Sequence, residues 1–134
     1  MTEVHFRGES GRAHRFAVHS PHDAFPTAAA VYGFARPGFG GKGWVVVFLS
    51  RTANLAGRMS GHERWEEARM LGATHILVHQ REERDVREYV EADLLSALRP
   101  VLNGPLLEGE AVETAVASFD TQSAPSRPRL VWAA

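Results

Sequence analysis

The run Trp44-Val45-Val46-Val47-Phe48-Leu49-Ser50 constrains this chain more than any other stretch. It is β-branched and aromatic, with no polar alternation. Such a run reads as a strand covered on both faces and placed centrally in its sheet. A chain of 134 residues that is 44% apolar can supply the neighbours and covering elements that this strand demands. That length fits one domain.

The flanking pattern fills in the rest. Residues 3–8 and 14–20 alternate around Glu9-Ser10-Gly11-Arg12 and predict a β-hairpin. Residues 20–26 read as a loop, 28–35 as a strand antiparallel to 44–50, and 35–43 as a glycine-rich connection. Thr52 or Asn54 caps a short helix over 55–62, weakened by Gly57 and Gly61. A second helical segment spans 63–72 and stops at Gly72. A strand at 74–80 and a long helix at 85–98, ended by Pro100, complete the core. The order predicts a small α+β domain over 1–103, with a mixed or antiparallel sheet and helices packed on it. The hairpin (3–20) precedes a core at 28–103. Residues 104–134 read as a partly flexible C-terminal extension.

Composition removes several functions. No cysteine occurs, which excludes disulfides, thiolate zinc sites and cysteine nucleophiles. No apolar run is long enough to span a bilayer, and the N-terminus lacks a signal-peptide core, so a cytoplasmic protein without a membrane partner is expected. Net charge is −1, but no Asp or Glu occurs from Ala24 to His62. That segment carries Arg36, Lys42, Arg51 and Arg58, a candidate phosphate-facing surface on a chain of nearly neutral charge. Acid scarcity in buried strand explains the same composition equally well.

Two histidine pairs and a glycine loop are weak candidates. His19 and His22 lie in a loop with no third ligand nearby. His75 and His79 share a strand face about 13 Å apart, too far to chelate together. Gly38-Phe39-Gly40-Gly41-Lys42-Gly43 precedes a strand rather than a helix and so lacks the context of a nucleotide cradle.

Glu91 stands out on the last helix. Counting from Val86, Ala97, Val90, Leu94 and Leu98 fall at roughly 20°, 40°, 80° and 120°, with Leu95 near 180°. Glu91 falls at about 140°, at the margin of the face to be buried. It opens the stretch Glu91-Ala-Asp-Leu-Leu-Ser-Ala-Leu-Arg-Pro-Val-Leu-Asn103. Upstream stand Ala30-Val31-Tyr32, then Phe48-Leu49-Ser50, then Arg51, Asn54-Leu55, Arg58 and His62 at fixed spacings. In this order the motifs, spanning roughly 28–103, resemble the GIY-YIG nuclease family.

The resemblance implies a single-metal endonuclease hydrolysing phosphodiester bonds. Its partner is nucleic acid, DNA ahead of RNA. Glu91 matches the carboxylate that holds a magnesium or manganese ion, with the shell completed by water and substrate phosphate. Arg58 matches the arginine that steadies phosphate charge, and His62 the position that orients or activates water. Arg51 matches a basic position, Tyr32 the tyrosine of the first signature, and Asn103 a structural asparagine. Arg36, Lys42, Arg51 and Arg58 are the expected nucleic-acid contacts. The second signature departs from the pattern: Phe48 stands in place of its tyrosine and Ser50 in place of its glycine, and Ala30 replaces the first glycine. These departures support an alternative, a catalytically impaired module that binds nucleic acid or protein without cutting.

Overall fold

The computed structural model describes residues 2–104. Five strands form one antiparallel sheet: β1 (Glu3–Arg7), β2 (Ala13–His19), β3 (Ala30–Pro37), β4 (Trp44–Thr52) and β5 (His75–Gln80). Their order across the sheet is β1-β2-β5-β3-β4. Three helices complete the fold: α1 (Leu55–Met59), α2 (Trp65–Met70) and α3 (Arg84–Leu98). The expected α+β class holds, and the N-terminal hairpin joins the main sheet through β2 and β5. The expected C-terminal extension lies, from residue 105 on, outside the described residues.

Strand alternation divides the core into two layers. Tyr32, Phe34, Val45, Phe48, Ile76 and Val78 point to one face and pack with Leu55 of α1 and Ala68 of α2. Val31, Ala35, Val46, Leu49, Leu77 and Phe16 point to the other and pack with Val90 and Leu94 of α3. A register shift where Phe34 pairs Phe48 and Ala35 pairs Val46 leaves Val47 as the extra residue of a β-bulge. The bulge lets both Val47 and Phe48 enter the first layer.

One expectation is corrected. β4 carries the strongest apolar run, yet it is an edge strand rather than a central one. Its outer edge is covered by the segment after α3. Leu102 N–H donates to Val47 O at 3.0 Å. The Asn103 amide binds both backbone groups of Leu49, accepting from its N–H at 2.7 Å and donating to its carbonyl at 2.6 Å. Burial of a continuous apolar strand therefore comes from three sides, two layers and a short cap, without a sixth strand.

Local chemistry sets the helix ends. Asn54, not Thr52, is the N-cap of α1: its Oδ1 accepts from Gly57 N–H at 3.1 Å. α1 stops at Met59, three residues before the expected end, and Gly61 follows at φ 85°. α2 is likewise shorter than expected. Arg99 adopts a left-handed φ of 47° as the C-cap of α3, immediately before Pro100.

Candidate functional site

Tyr32 and His62 are thirty residues apart in sequence and meet in the layer between the sheet and α1–α2. The Tyr32 hydroxyl lies 2.6 Å from His62 Nε2. The other ring nitrogen, Nδ1, accepts from the Arg64 backbone N–H at 3.0 Å. A backbone N–H can only donate, so the neutral ring carries its proton on Nε2 and presents it to the tyrosine oxygen. Burial, and secondarily the Arg58 guanidinium, push His62 down to about 4. The ring is therefore neutral at pH 7 and has no free lone pair. Burial raises the Tyr32 phenol, with Arg58 beside it working the other way. Tyr32 itself is 0% exposed.

Arg58 binds Glu63 through two hydrogen bonds of 2.8 and 2.7 Å. Glu63 holds the guanidinium well above its ordinary range, and Arg58 in turn lowers the Glu63 carboxyl to about 2. Both ions stay charged at any ordinary pH. Phe48 occupies the place where the resemblance calls for a hydroxyl. Its ring stacks on Phe34 at 5.4 Å and meets the edge of His62 at 5.3 Å, as a core aromatic.

Glu91 and Arg51 form a separate pair. Arg51 Nη1 donates to Glu91 Oε1, and Nη2 lies 3.5 Å from Glu88 Oε2. Register assigns the sides. Ser50 pairs with Tyr32 and shares its face, whereas Arg51 pairs with Val31 and leaves the sheet on the α3 side. The five expected catalytic residues thus fall into two groups. Tyr32, Arg58 and His62 share the α1–α2 layer, while Arg51 and Glu91 meet on the α3 side.

The four expected nucleic-acid contacts are not gathered either. Arg36 pairs in register with Val45, and its side chain packs where a Cβ on Gly72 would touch it at 2.9 Å. Burial lowers the Arg36 guanidinium. Lys42 is exposed in the β3–β4 turn. Both lie toward the other end of the hairpin from Arg51, Arg36 about 17 Å along the strand at roughly 3.4 Å per residue and Lys42 farther. Arg51 and Arg58 each carry a carboxylate partner already.

The oxygen donors that suit a hard divalent ion are Glu91 and Glu88, one helical turn apart with Arg51 between them. Among the described residues no three His, Asp or Glu side chains gather as a ready-made metal site. His19 binds Asp23 instead, at 3.1 Å.

Sequence reasoning missed two buried charges on α3. Asp93 is 8% exposed and binds Ser10 and His14 of the hairpin. Arg87 is equally buried and donates to the carbonyls of Arg81 and Glu82 at 3.0 and 2.7 Å. The signal was available: counted from Val86, Asp93 falls at about −20° and Arg87 at about 100°, both on the buried arc. No described helix is long and apolar enough to cross a membrane. Comparison with protein-family models, curated proteins and solved structures found no match.

Proposed function

We propose that the chain is a metal-assisted phosphodiester hydrolase acting on nucleic acid, DNA ahead of RNA, on a GIY-YIG-like frame. The observation that carries this reading is the convergence of Tyr32, Arg58 and His62 through hydrogen bonding and charge, as the motif order implies. Arg51, near the end of β4, and Arg58, on α1, each hold their charge on a carboxylate that a phosphate can replace.

In this reading Arg58 exchanges Glu63 for a phosphate oxygen and stabilises the charge that develops there. Arg51 makes the same exchange, and its departure leaves Glu91 free to ligate magnesium or manganese. A bound ion supplies positive charge toward the leaving oxygen of the scissile phosphate. One carboxylate, water and substrate oxygens fit the shell of such an ion. Tyr32 accepts the His62 Nε2–H on its oxygen and, with its phenol raised by burial, keeps its own proton to donate toward a phosphate oxygen. Because its ring is wholly buried, it reaches substrate only when the segment carrying His62 shifts.

Plasmid nicking in magnesium or manganese tests this. Wild type should nick. Glu91→Gln and Arg58→Ala should each reduce the rate by about 10²–10³, the usual cost of removing one transition-state charge partner. Wild type inert under both metals removes the hydrolase reading.

A second reading is favoured by specific observations: Tyr32 is buried, Phe48 has no hydroxyl, and both arginines are paired. Under it the chain binds nucleic acid without cutting. Affinity should then fall steeply with salt while no nicking occurs. Gain of metal-dependent cleavage in Phe48→Tyr with Ser50→Gly would establish this protein as a degenerate member.

A further inference from the structure

A second polar group lies on the α3 side of the sheet, across β5 and β3 from Arg51. The Asp93 carboxylate accepts from Ser10 N–H at 2.7 Å, from Ser10 Oγ at 2.8 Å and from His14 Nε2 at 2.8 Å. It lies directly over Gly8, where a Cβ would fall 2.0 Å from Oδ2. An ionised carboxylate can only accept, so the His14 proton is fixed on Nε2, and no described residue bonds Nδ1. The imidazole is held in one tautomer and one orientation, as a working histidine requires.

His14 lines a groove of about 590 Å³ between the hairpin and α3. Arg12, His79, Arg81 and Tyr89 share that groove, with Asp85 as its one acid. The His79 Nδ1–H donates to Arg15 O at 2.8 Å, which leaves Nε2 with its lone pair, 3.4 Å from Arg81 Nε. Arg51, Arg58, Arg64, Arg69 and Arg84 all carry carboxylate partners. Arg12 and Arg81 have none within 4 Å among the described residues. Both are exposed at the rim of this one groove.

We propose that this groove binds a phosphoryl oxyanion. Arg12 and Arg81 supply the guanidinium forks that match such oxygens. His14 Nδ1, which no described residue bonds, accepts from the P–OH of a monoanion. The phosphoryl group can belong to a small phosphorylated molecule or to a nucleic-acid backbone. The site stands independently of the hydrolase reading, since it shares no residue with that site.

The test is NMR titration of the full chain with inorganic phosphate, with a 5′-mononucleotide and with a short oligonucleotide. Perturbation should centre on the His14 and His79 rings and the Arg12 and Arg81 side chains. Arg12→Ala with Arg81→Ala should weaken binding at least tenfold with an unchanged amide spectrum elsewhere. Response to phosphate or mononucleotide marks a small-molecule site. Response to the oligonucleotide alone marks a backbone contact. Perturbation centred on Arg51 or Arg58, binding undiminished in the double variant, or no response to any of the three probes overturns the proposal.

Discussion

His62 shows how a single hydrogen bond redirects a functional reading. Its position in the motif order suggests a group that orients or activates water. The Arg64 backbone N–H takes Nδ1, so the neutral ring meets Tyr32 as a donor and positions the tyrosine oxygen. With its ionisation near 4, His62 should leave no limb between pH 6 and 7 in a pH–rate profile of nicking. A limb there that disappears in His62→Asn would restore the general-base role. Arg51 offers a second residue-level test. If it competes with a cation for Glu91, Arg51→Ala should tighten manganese binding, read as NMR broadening around Glu91 at lower metal concentration. The same variant should weaken nucleic-acid binding and flatten its salt slope by about one phosphate contact. Unchanged broadening means that the ion pair and the metal do not share the carboxylate.

At the scale of elements, β4 and the hairpin are each secured by one side chain reaching across the fold. Asn103 closes the outer edge of β4 by replacing a missing strand at Leu49. Asn103→Ala should cost about 1–3 kcal/mol, because the two Leu49 backbone groups lose their partner. Denaturant unfolding gives the magnitude. Amide exchange should show the Leu49 N–H losing protection first, and uniform loss across the sheet would contradict a local clasp. Asp93 secures the hairpin to α3 in the same manner. Gly8→Ala forces a Cβ onto the carboxylate and should destabilise by about 1–3 kcal/mol or more, as overpacking does. The first resonances to shift should be those of Ser10 and His14. These clasps were only partly legible beforehand. The closing Asn103 stood out as structural through the motif order, whereas Asp93 was passed over because it sits among ordinary apolar neighbours in sequence.

For the whole molecule, the titrating groups divide acid unfolding into two windows. His62 has its folded ionisation pushed below the unfolded value of about 6.5, so the unfolded chain binds the proton first. Its contribution, at most about 3 kcal/mol for a shift of this size and less once solvent screening is counted, is present at neutral pH and lost between about pH 6.5 and 4. His79, also lowered by burial, adds to the same slope. Hydrogen bonds from His14 and Ser10 lower the Asp93 carboxyl despite the opposing effect of burial, so its contribution is lost only below about pH 4. Glu63, lowered by Arg58, follows the same sign. Stability measured by urea titration should therefore fall from pH 6.5 to 4 and then fall again in a separate acid step. His62→Asn should reduce the first slope and leave the second. A single transition below pH 4 would show that neither histidine is held neutral by the fold.

Periodicity, apolar runs, caps and glycine stops were sufficient to find each strand and α-helix among the described residues. The alternation at 3–8 and 14–20, the apolar run at 44–50 and the 3.6-residue repeat of α3 are each local, and local sterics and burial act on them the same way in any compact fold. The pairing of β3 with β4 followed for the same reason, since adjacent strands with a short connection meet first. Placement across the sheet was not local. β4 lies at the edge because β5 inserts between β2 and β3, which no property of residues 44–50 encodes. The division of the candidate site has the same origin. Ser50 and Arg51 are neighbours in sequence, yet the pleat sends them to opposite faces, one toward Tyr32 and one toward Glu91. Residue types and spacing nominated the side chains. Strand order, register and burial decided which of them meet, because those depend on contacts between segments far apart in the chain.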